Sequence, residues 1–587
     1  MTAGAMDVIQ GEVVNQLLLA AAEEMGLALK KTAFSPNIKE RADCSTAIFD
    51  AAGRVVVQAA HIPIHLSSMI GLVDGAVTLE RTGGLQPGDM LLANDPFSCR
   101  GSHLNDIAVA MPVFAGTELI GFVANIAHHS DVGGRVAGSE VGDNTEIYQD
   151  GIRLPLMKIM QAGVIDPHVM DLVLINSRTP LEREGDFHAQ FAANLLGARK
   201  VQELHARFGG ATYRQALDDL LAYTEQRTRA AIGGLPAGTY RAQGFLDDDG
   251  VNTAPLGIAV QIHVTGDAVE FDFTGTHAQV GTSINATPIS LLAGVYYVMR
   301  AILDPSLPTN AGFYRPFGLT VPPSSLLNAR PPASVAVRFR SVQCAVDIIC
   351  KAMAEAVPER VMAGSRGWWG VIISGAEAAG GASFVDYEAH VGGGGATARG
   401  DGWDATWSHC SNSSNLPIEV LEAEYPLRVR RYALRPDSGG AGAARGGLGC
   451  VREIEATSGP VQFSVRGDAY RIAPHGLAGG ESGATGAVFV RTAQRRRQLP
   501  ATVVNGLLRP GEVLEIWTPG GGGFGPARNR TPEAVAADLR AGKITAAHAR
   551  RRYGVAGGGG TVDVREGAAR RTRRARSKRR GTARSKR

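Results

Sequence analysis

Cysteine is scarce and unpaired in this sequence. Six residues, Cys44, Cys99, Cys344, Cys350, Cys410 and Cys450, are scattered over 587 positions with no CxxC spacing, which argues against a disulfide framework and suits a reducing compartment. Long apolar runs are missing too. No stretch of about 18 apolar residues occurs, and the N-terminus lacks a basic segment followed by an apolar core and a small-residue cleavage site, so a cytoplasmic, soluble protein is expected. Phosphate-loop chemistry is also absent. Neither Gly392–Gly395 nor Thr518–Gly525 carries the Lys-Ser/Thr pair of a nucleotide-binding loop, and Arg445-Gly446-Gly447-Leu448-Gly449 is no dinucleotide fingerprint.

A hydrophobic fraction of 44% against 20% charged residues excludes disorder for most of the length. Such a length calls for two to four structural units, which can pack as one body. Glycine is in excess: 74 copies cluster in loops without a collagen-like period, which reads as many tight turns between strands. The net charge of +4 misleads, because residues 570–587 hold eleven Lys/Arg and no acid. Subtracting them leaves −7 for the rest, so the folded body is mildly acidic and the basic run reads as a solvated tail.

The expected fold is mixed α/β (α+β). Residues 1–165 form an N-terminal metal-binding α/β region, 166–390 a mixed helical and strand middle, 391–555 a glycine-rich β region with a terminal helix, and 556–587 a disordered basic tail. Periodicity predicts helices over 7–33, from Leu66 to about Leu79, within 166–232, and over 287–303 and 341–356. Strands are expected at Thr46–Phe49, Arg54–Gln58, Met90–Ala93 and across 238–280. A last helix, Pro532–Arg551, follows Thr531 as N-cap. Two strands, Asp106–Phe114 and Glu118–Ala127, flank Ala115-Gly116-Thr117, a connection that forces antiparallel pairing. If the turn centres on Gly116-Thr117, Asp106 lies opposite Ala127 and His103 lies close to Ser130.

That hairpin gathers the richest polar segments, Gly101–Asp106 and Asn125–Asp131. His103, Asp106 and His128 come close enough in backbone terms to share one divalent ion. A fourth, carboxylate ligand is expected from Asp43, with Glu40 in reserve. Two imidazoles and two carboxylates suit Zn²⁺, Mn²⁺ or Fe²⁺ better than Ca²⁺. The same residues also fit ordinary strand ends hydrogen-bonded to loop amides, and both readings stand on sequence. His61 and His65, in an apolar run, read as core histidines or as partners of the ligands. His129 and Asp131, directly after a ligand, are candidates for general acid or base, with orientation of a ligand the other role for His129. Glu146 is a further catalytic candidate, or a turn cap.

The segments Ser35–Ser45, His61–Leu66 and Ala127–Gly134 resemble the hydantoinase B/oxoprolinase family, and the likeness continues through Pro308–Gly312, Asp437–Gly440, Arg445–Gly449 and Thr518–Gly523. It spans roughly residues 6–555. The resemblance implies a divalent metal on Asp43, His103, Asp106 and His128. It also implies an A-type partner subunit that uses ATP to phosphorylate a carbonyl or enol oxygen, after which the B-type chain completes hydrolysis of a cyclic amide (hydantoin, lactam or 5-oxoproline) or, in the carboxylase branch, a carboxylation of acetone or acetophenone type. Two further readings compete: a non-catalytic assembly subunit with a structural metal, against which the carboxylate-bearing site argues, and nucleic-acid binding, which rests on the tail alone.

Overall fold

The computed structural model describes residues 8–367, 369–376, 383–406, 409–555, 557–558 and 561–562. The expected tail at 556–587 lies outside the described residues apart from 557–558 and 561–562. No helix among the described residues is long and apolar enough to cross a membrane.

The helices of the first two regions are, in chain order, α1 (Val8–Thr32), α2 (Pro36–Lys39), α3 (Leu66–Glu80), α4 (Pro167–Leu174), α5 (Pro180–Phe208), α6 (Gly210–Gly233), α7 (Pro288–Leu303), α8 (Ala311–Tyr314) and α9 (Phe339–Met353). The N-terminal sheet contains β1 (Cys44–Asp50), β2 (Val55–Gln58), β3 (Met90–Ala93), β4 (Asp106–Ala115), β5 (Glu118–His128), β6 (Met157–Gln161) and β7 (Val164–Ile165). Its order is β2-β1-β5-β4-β3-β6-β7, and every neighbour pair is antiparallel. Both faces are covered. Val109 and Val123 pack with Leu18, Met25 and Phe191 of α1 and α5, while Ala110 and Phe122 pack with Met69 and Val73 of α3. A sheet buried on both sides reads as a continuous apolar run instead of an alternation, which is why β4 and β5 are buried along nearly their whole length.

The middle region adds β8 (Gly238–Leu246), β9 (Leu256–Val264), β10 (Val269–Asp272) and β11 (Phe317–Thr320), in the order β11-β10-β9-β8. Helix α9 lies against β8 and β9. Arg338 stands at its N-cap and points a guanidinium at Asp106, the first residue of β4. The remaining strands form a C-terminal sandwich that begins at Trp369, within the stretch 166–390 expected as the middle region. One sheet is β13-β12-β16-β19 and the other β14-β15-β20-β17-β18, built from β12 (Trp369–Ala376), β13 (Ser383–His390), β14 (Leu427–Leu434), β15 (Cys450–Ala456), β16 (Val461–Gly467), β17 (Ala487–Arg491), β18 (Arg496–Leu499), β19 (Thr502–Leu508) and β20 (Val513–Trp517). Trp369, Phe384 and Val465 of the first meet Ile454, Leu514 and Leu427 of the second.

Three expectations are corrected. The β4–β5 register is 106↔128 through 113↔121, and then 114↔119. Ile120 is therefore an extra residue on β5, a bulge that leaves the expected pairing beside the turn and shifts it by one from Val113 out to Asp106. The glycine runs are not chiefly turns. Gly392–Gly395, Gly446–Gly447 and Gly520–Gly523 run as extended segments packed backbone to backbone, with Gly394 N donating to Trp403 O, Gly447 N to Gly394 O and Gly521 N to Gly447 O. A Cβ on Gly393 would lie 1.9 Å from Gly447 O, and one on Gly521 2.0 Å from Gly394 O. Finally, the last helix is broken: Thr531 caps Pro532–Arg540 as expected, but Gly542 takes a φ of +68° and a second short helix begins at Ala546.

Candidate metal centre

The site assembles where the outer ends of β4 and β5 meet the entrance of β1. Asp106 opens β4 directly opposite His128, which closes β5, and the His128 amide donates to Asp43 O at 3.0 Å. Directly paired residues share a face, so the bulge at Ile120 is what puts Asp106 and His128 on the same side. The turn before β4 brings in His103, with Asp106 N donating to His103 O. Asn105 fastens that turn, its amide reaching His129 O at 2.9 Å and Gly138 O at 3.2 Å.

His103, Asp106 and His128 each offer a ligand atom within 4.8 Å of the others, and all three are buried. His103 Nδ1 faces two acceptors, Glu140 Oε1 at 3.0 Å and Ala336 O at 3.2 Å, which places its proton there. The lone pair of Nε2 then points at Asp106 Oδ1, 3.2 Å away. Neither atom has a hydrogen-bond partner although both are buried. An imidazole nitrogen and a carboxylate oxygen facing each other out of reach of water must share either a proton on Nε2 or a cation that binds both. These residues fit a divalent ion, and the imidazole–carboxylate donor set suits a first-row transition metal or zinc.

Electrostatics keep the carboxylates charged. Burial opposes ionisation of Asp106, but His103, His65 and Arg338 outweigh it and hold it well below the usual carboxylate range. Arg338 Nη2 sits 2.8 Å from Asp106 Oδ2, and the Ser102 hydroxyl donates to the same oxygen. Glu140 is likewise held far below its ordinary value against the cost of burial, by Arg466 and the two imidazoles. His103 is raised in spite of burial and Arg338, because Asp106 and Glu140 favour its cation. Asp43 lines the same small cavity, about 40 Å³, together with His65, Arg41, Ile62, Ile64 and Tyr387. Its Oδ1 lies 3.6 Å from His65 Nε2, which is also 3.5 Å from Asp106 Oδ1.

The other expected residues fall elsewhere. His129 projects from the opposite face to His128: its Nε2 is 3.0 Å from Gln190 Oε1 and its ring packs on Phe187 of α5. Burial and Arg183 push its pKa far down, so it is a neutral packing group, and the acid–base role expected for it has no geometry at the cluster. Asp131 organises the following loop, accepting from the Gly133, Gly138 and Arg178 amides and from the Arg178 guanidinium at 2.9 Å. Glu146 is exposed at the head of the turn Ile147–Gln149 and makes no capping bond. Glu40 is the C-cap of α2, its amide donating to Pro36 O, and it is not among the residues lining the cavity. Of the two roles expected for His65, core packing or partner of the ligands, it takes the second, lying between Asp43 and Asp106; His61 lines a different, larger cavity. Sequence reasoning missed Glu140, Arg338, Tyr387 and Arg466. Glu140 sits among glycines and serines, and the other three arrive from more than 200 positions away, so no local spacing could signal them.

The family model for hydantoinase B/oxoprolinase matches residues 7–527. This chain belongs to the hydantoinase B/oxoprolinase family. Among its relatives, the B-type subunit of a putative D-/L-hydantoinase from Pseudomonas sp. is 33% identical over 94% of this chain and 95% of its own length. An ATP-dependent caprolactamase structure from Pseudomonas jessenii superposes with a TM-score of 0.88 at 29% identity, covering 97% of this chain and all of that one. A nucleotide-free acetone carboxylase structure shares the fold at a TM-score of 0.89 and 20% identity, over 98% of this chain and 84% of that chain. The fold is thus shared with an ATP-dependent caprolactamase and an acetone carboxylase.

Proposed function

We propose that this protein is the metal-binding B-type subunit of an ATP-dependent amidohydrolase that opens a cyclic amide (hydantoin, lactam or 5-oxoproline) after an A-type partner has phosphorylated the carbonyl oxygen. The observation that carries the reading is the buried cluster of His103, Asp106 and His128, with His103 Nε2 and Asp106 Oδ1 set 3.2 Å apart. A relative named as one subunit of a hydantoinase and a fold neighbour named as an ATP-dependent caprolactamase support the substrate class and the need for a partner.

An unstrained amide is a poor electrophile, and O-phosphorylation turns its oxygen into a leaving group. A partner that uses ATP is in keeping with the glycine runs here, which carry no Lys-Ser/Thr pair of a phosphate loop. His103, Asp106 and His128 would hold the ion, with Asp43 as the fourth donor. A divalent ion there supplies Lewis acidity toward water or the substrate oxygen. Arg338 supplies a fixed positive charge beside Asp106 and faces the cavity, where it can meet an anionic substrate group. Ile62, Ile64 and Phe339 line the apolar wall and limit bulk water.

The test is ring opening of hydantoin, N-methylhydantoin, a lactam and 5-oxoproline with ATP, using this protein co-purified with its A-type partner, and metal content of wild type and His103→Ala. Opening of one ring, lost together with the ion in the variant, supports the proposal. Bound metal without any ring opening would replace it with the carboxylase reading, tested with acetone, acetophenone and bicarbonate.

A further inference from the structure

Glu140 joins two parts of the molecule that are distant in sequence. Its side chain is buried in the loop after β5, and its two oxygens face opposite ways. Oε1 looks into the metal pocket, 3.0 Å from His103 Nδ1 and 3.4 Å from His128 Nε2. Oε2 looks toward the C-terminal sandwich, where Arg466 of β16 holds it at 2.7 Å and the Tyr387 hydroxyl of β13 donates to it at 2.8 Å. The Tyr387 ring also lies against His128, 4.7 Å between centroids, and is flanked by the guanidinium groups of Arg41 and Arg466 at 5.2 and 5.1 Å. Gly138, two residues before Glu140, abuts Ile372 of β12 so closely that a Cβ would come within 2.5 Å of it. The loop is therefore pinned to the same sheet by packing and by charge.

We propose that Glu140 is a positioning residue for the ion: one oxygen orients the His103 imidazole, the other is clamped by Arg466 and Tyr387, so that ion affinity is set by the docking of the C-terminal sheet. The inference rests on the metal reading above and adds a coupling to it. A carboxylate on the outer nitrogen of a ligand histidine fixes its tautomer and orientation, and losing such a partner typically weakens metal binding about 10- to 100-fold. Here the carboxylate is itself fixed by the far sheet, so a change there must be felt at the ion. Coupling is reciprocal, and the ion in turn should slow amide exchange in Ser383–His390.

The test is titration of the full chain, stripped of metal, with Mn²⁺ and Zn²⁺ by calorimetry, alongside the melting temperature of each metal-free protein. Glu140→Gln is expected to bind one ion with about 10- to 100-fold weaker affinity. Tyr387→Phe, which removes the hydroxyl that donates to Glu140 Oε2, should weaken binding in the same direction by a smaller factor. Wild-type affinity in both variants, with binding abolished in His103→Ala, would overturn the clamp and leave the metal reading standing. Loss of the ion in Glu140→Gln with Tyr387→Phe unchanged would make Glu140 a ligand and also overturn it. A lowered metal-free melting temperature at unchanged affinity would reduce Glu140 to a structural role. If Glu140→Gln does not fold, the affinity of Tyr387→Phe decides alone, and if wild type itself binds no ion, the metal reading falls first.

Discussion

Arg338 and Asp106 set the charge balance of the pocket. With a guanidinium already 2.8 Å from one oxygen of Asp106, the carboxylate stays ionised without any ion, so the pocket is ready to take a cation through its other oxygen. His103→Ala should therefore lose bound metal, measured by elemental analysis, and ring opening with it. His129→Asn should behave differently. Its partners are Gln190 and Phe187 of α5, and the expected result is unchanged metal stoichiometry with a stability loss of about 1–3 kcal/mol in urea titrations; loss of the ion would put His129 back at the site. Asp150 carries a pH prediction. Burial raises its pKa to about 6, against bonds from Ser334 and Asn144 that lower it. Because the folded state holds the proton more tightly than the unfolded chain, its contribution is fully present below about pH 4 and is lost as pH rises to 6. Relative to Asp150→Asn, wild type should lose at most about 3 kcal/mol between pH 4 and 7, flattening above 6; a difference independent of pH would refute it.

Among the elements, the glycine array and the β4–β5 hairpin carry different kinds of information. Extended glycine segments can approach each other so closely only because no Cβ stands between them, and the backbone carbonyls on either side belong to a hydrogen-bonded array that cannot yield. Gly393→Ala or Gly521→Ala, each placing a Cβ within about 2 Å of a carbonyl oxygen, should cost more than about 3 kcal/mol and show as poor soluble yield or a lowered melting temperature. Gly459→Ala, whose Cβ would meet nothing within 4 Å, is the control. In the hairpin, composition and the short turn were enough to anticipate both strands and the neighbourhood of His103, Asp106 and His128. The bulge at Ile120 was not legible, since one extra residue leaves the apolar pattern of a doubly buried sheet intact while exchanging which residues share a face.

At the scale of the whole molecule, the site is closed by all three regions. Asp43, His65, His103, Asp106 and His128 come from the N-terminal sheet and its flanking turns, Arg338 from the start of α9, and Tyr387 and Arg466 from the sandwich. An ion bound only by the folded state stabilises it by mass action, about 2.7 kcal/mol at a free concentration a hundred times the dissociation constant. Chelation should therefore lower the melting temperature of wild type, and leave that of His103→Ala where it is; equal melting curves with and without chelator in wild type would argue against a resident ion.

By itself the sequence determined the mixed helix-and-sheet class, most element positions, the family and the chain segment bearing His103, Asp106 and His128, because periodicity, turn chemistry and long ordered motifs are local properties of the chain. Tertiary structure alone decided which side of the sheet each polar residue faces, that His129 turns to α5 while His65 turns to the cluster, and that Glu140 is gripped by Arg466. Register and long-range ion pairs depend on where distant backbones come to rest, and no spacing along the chain encodes that.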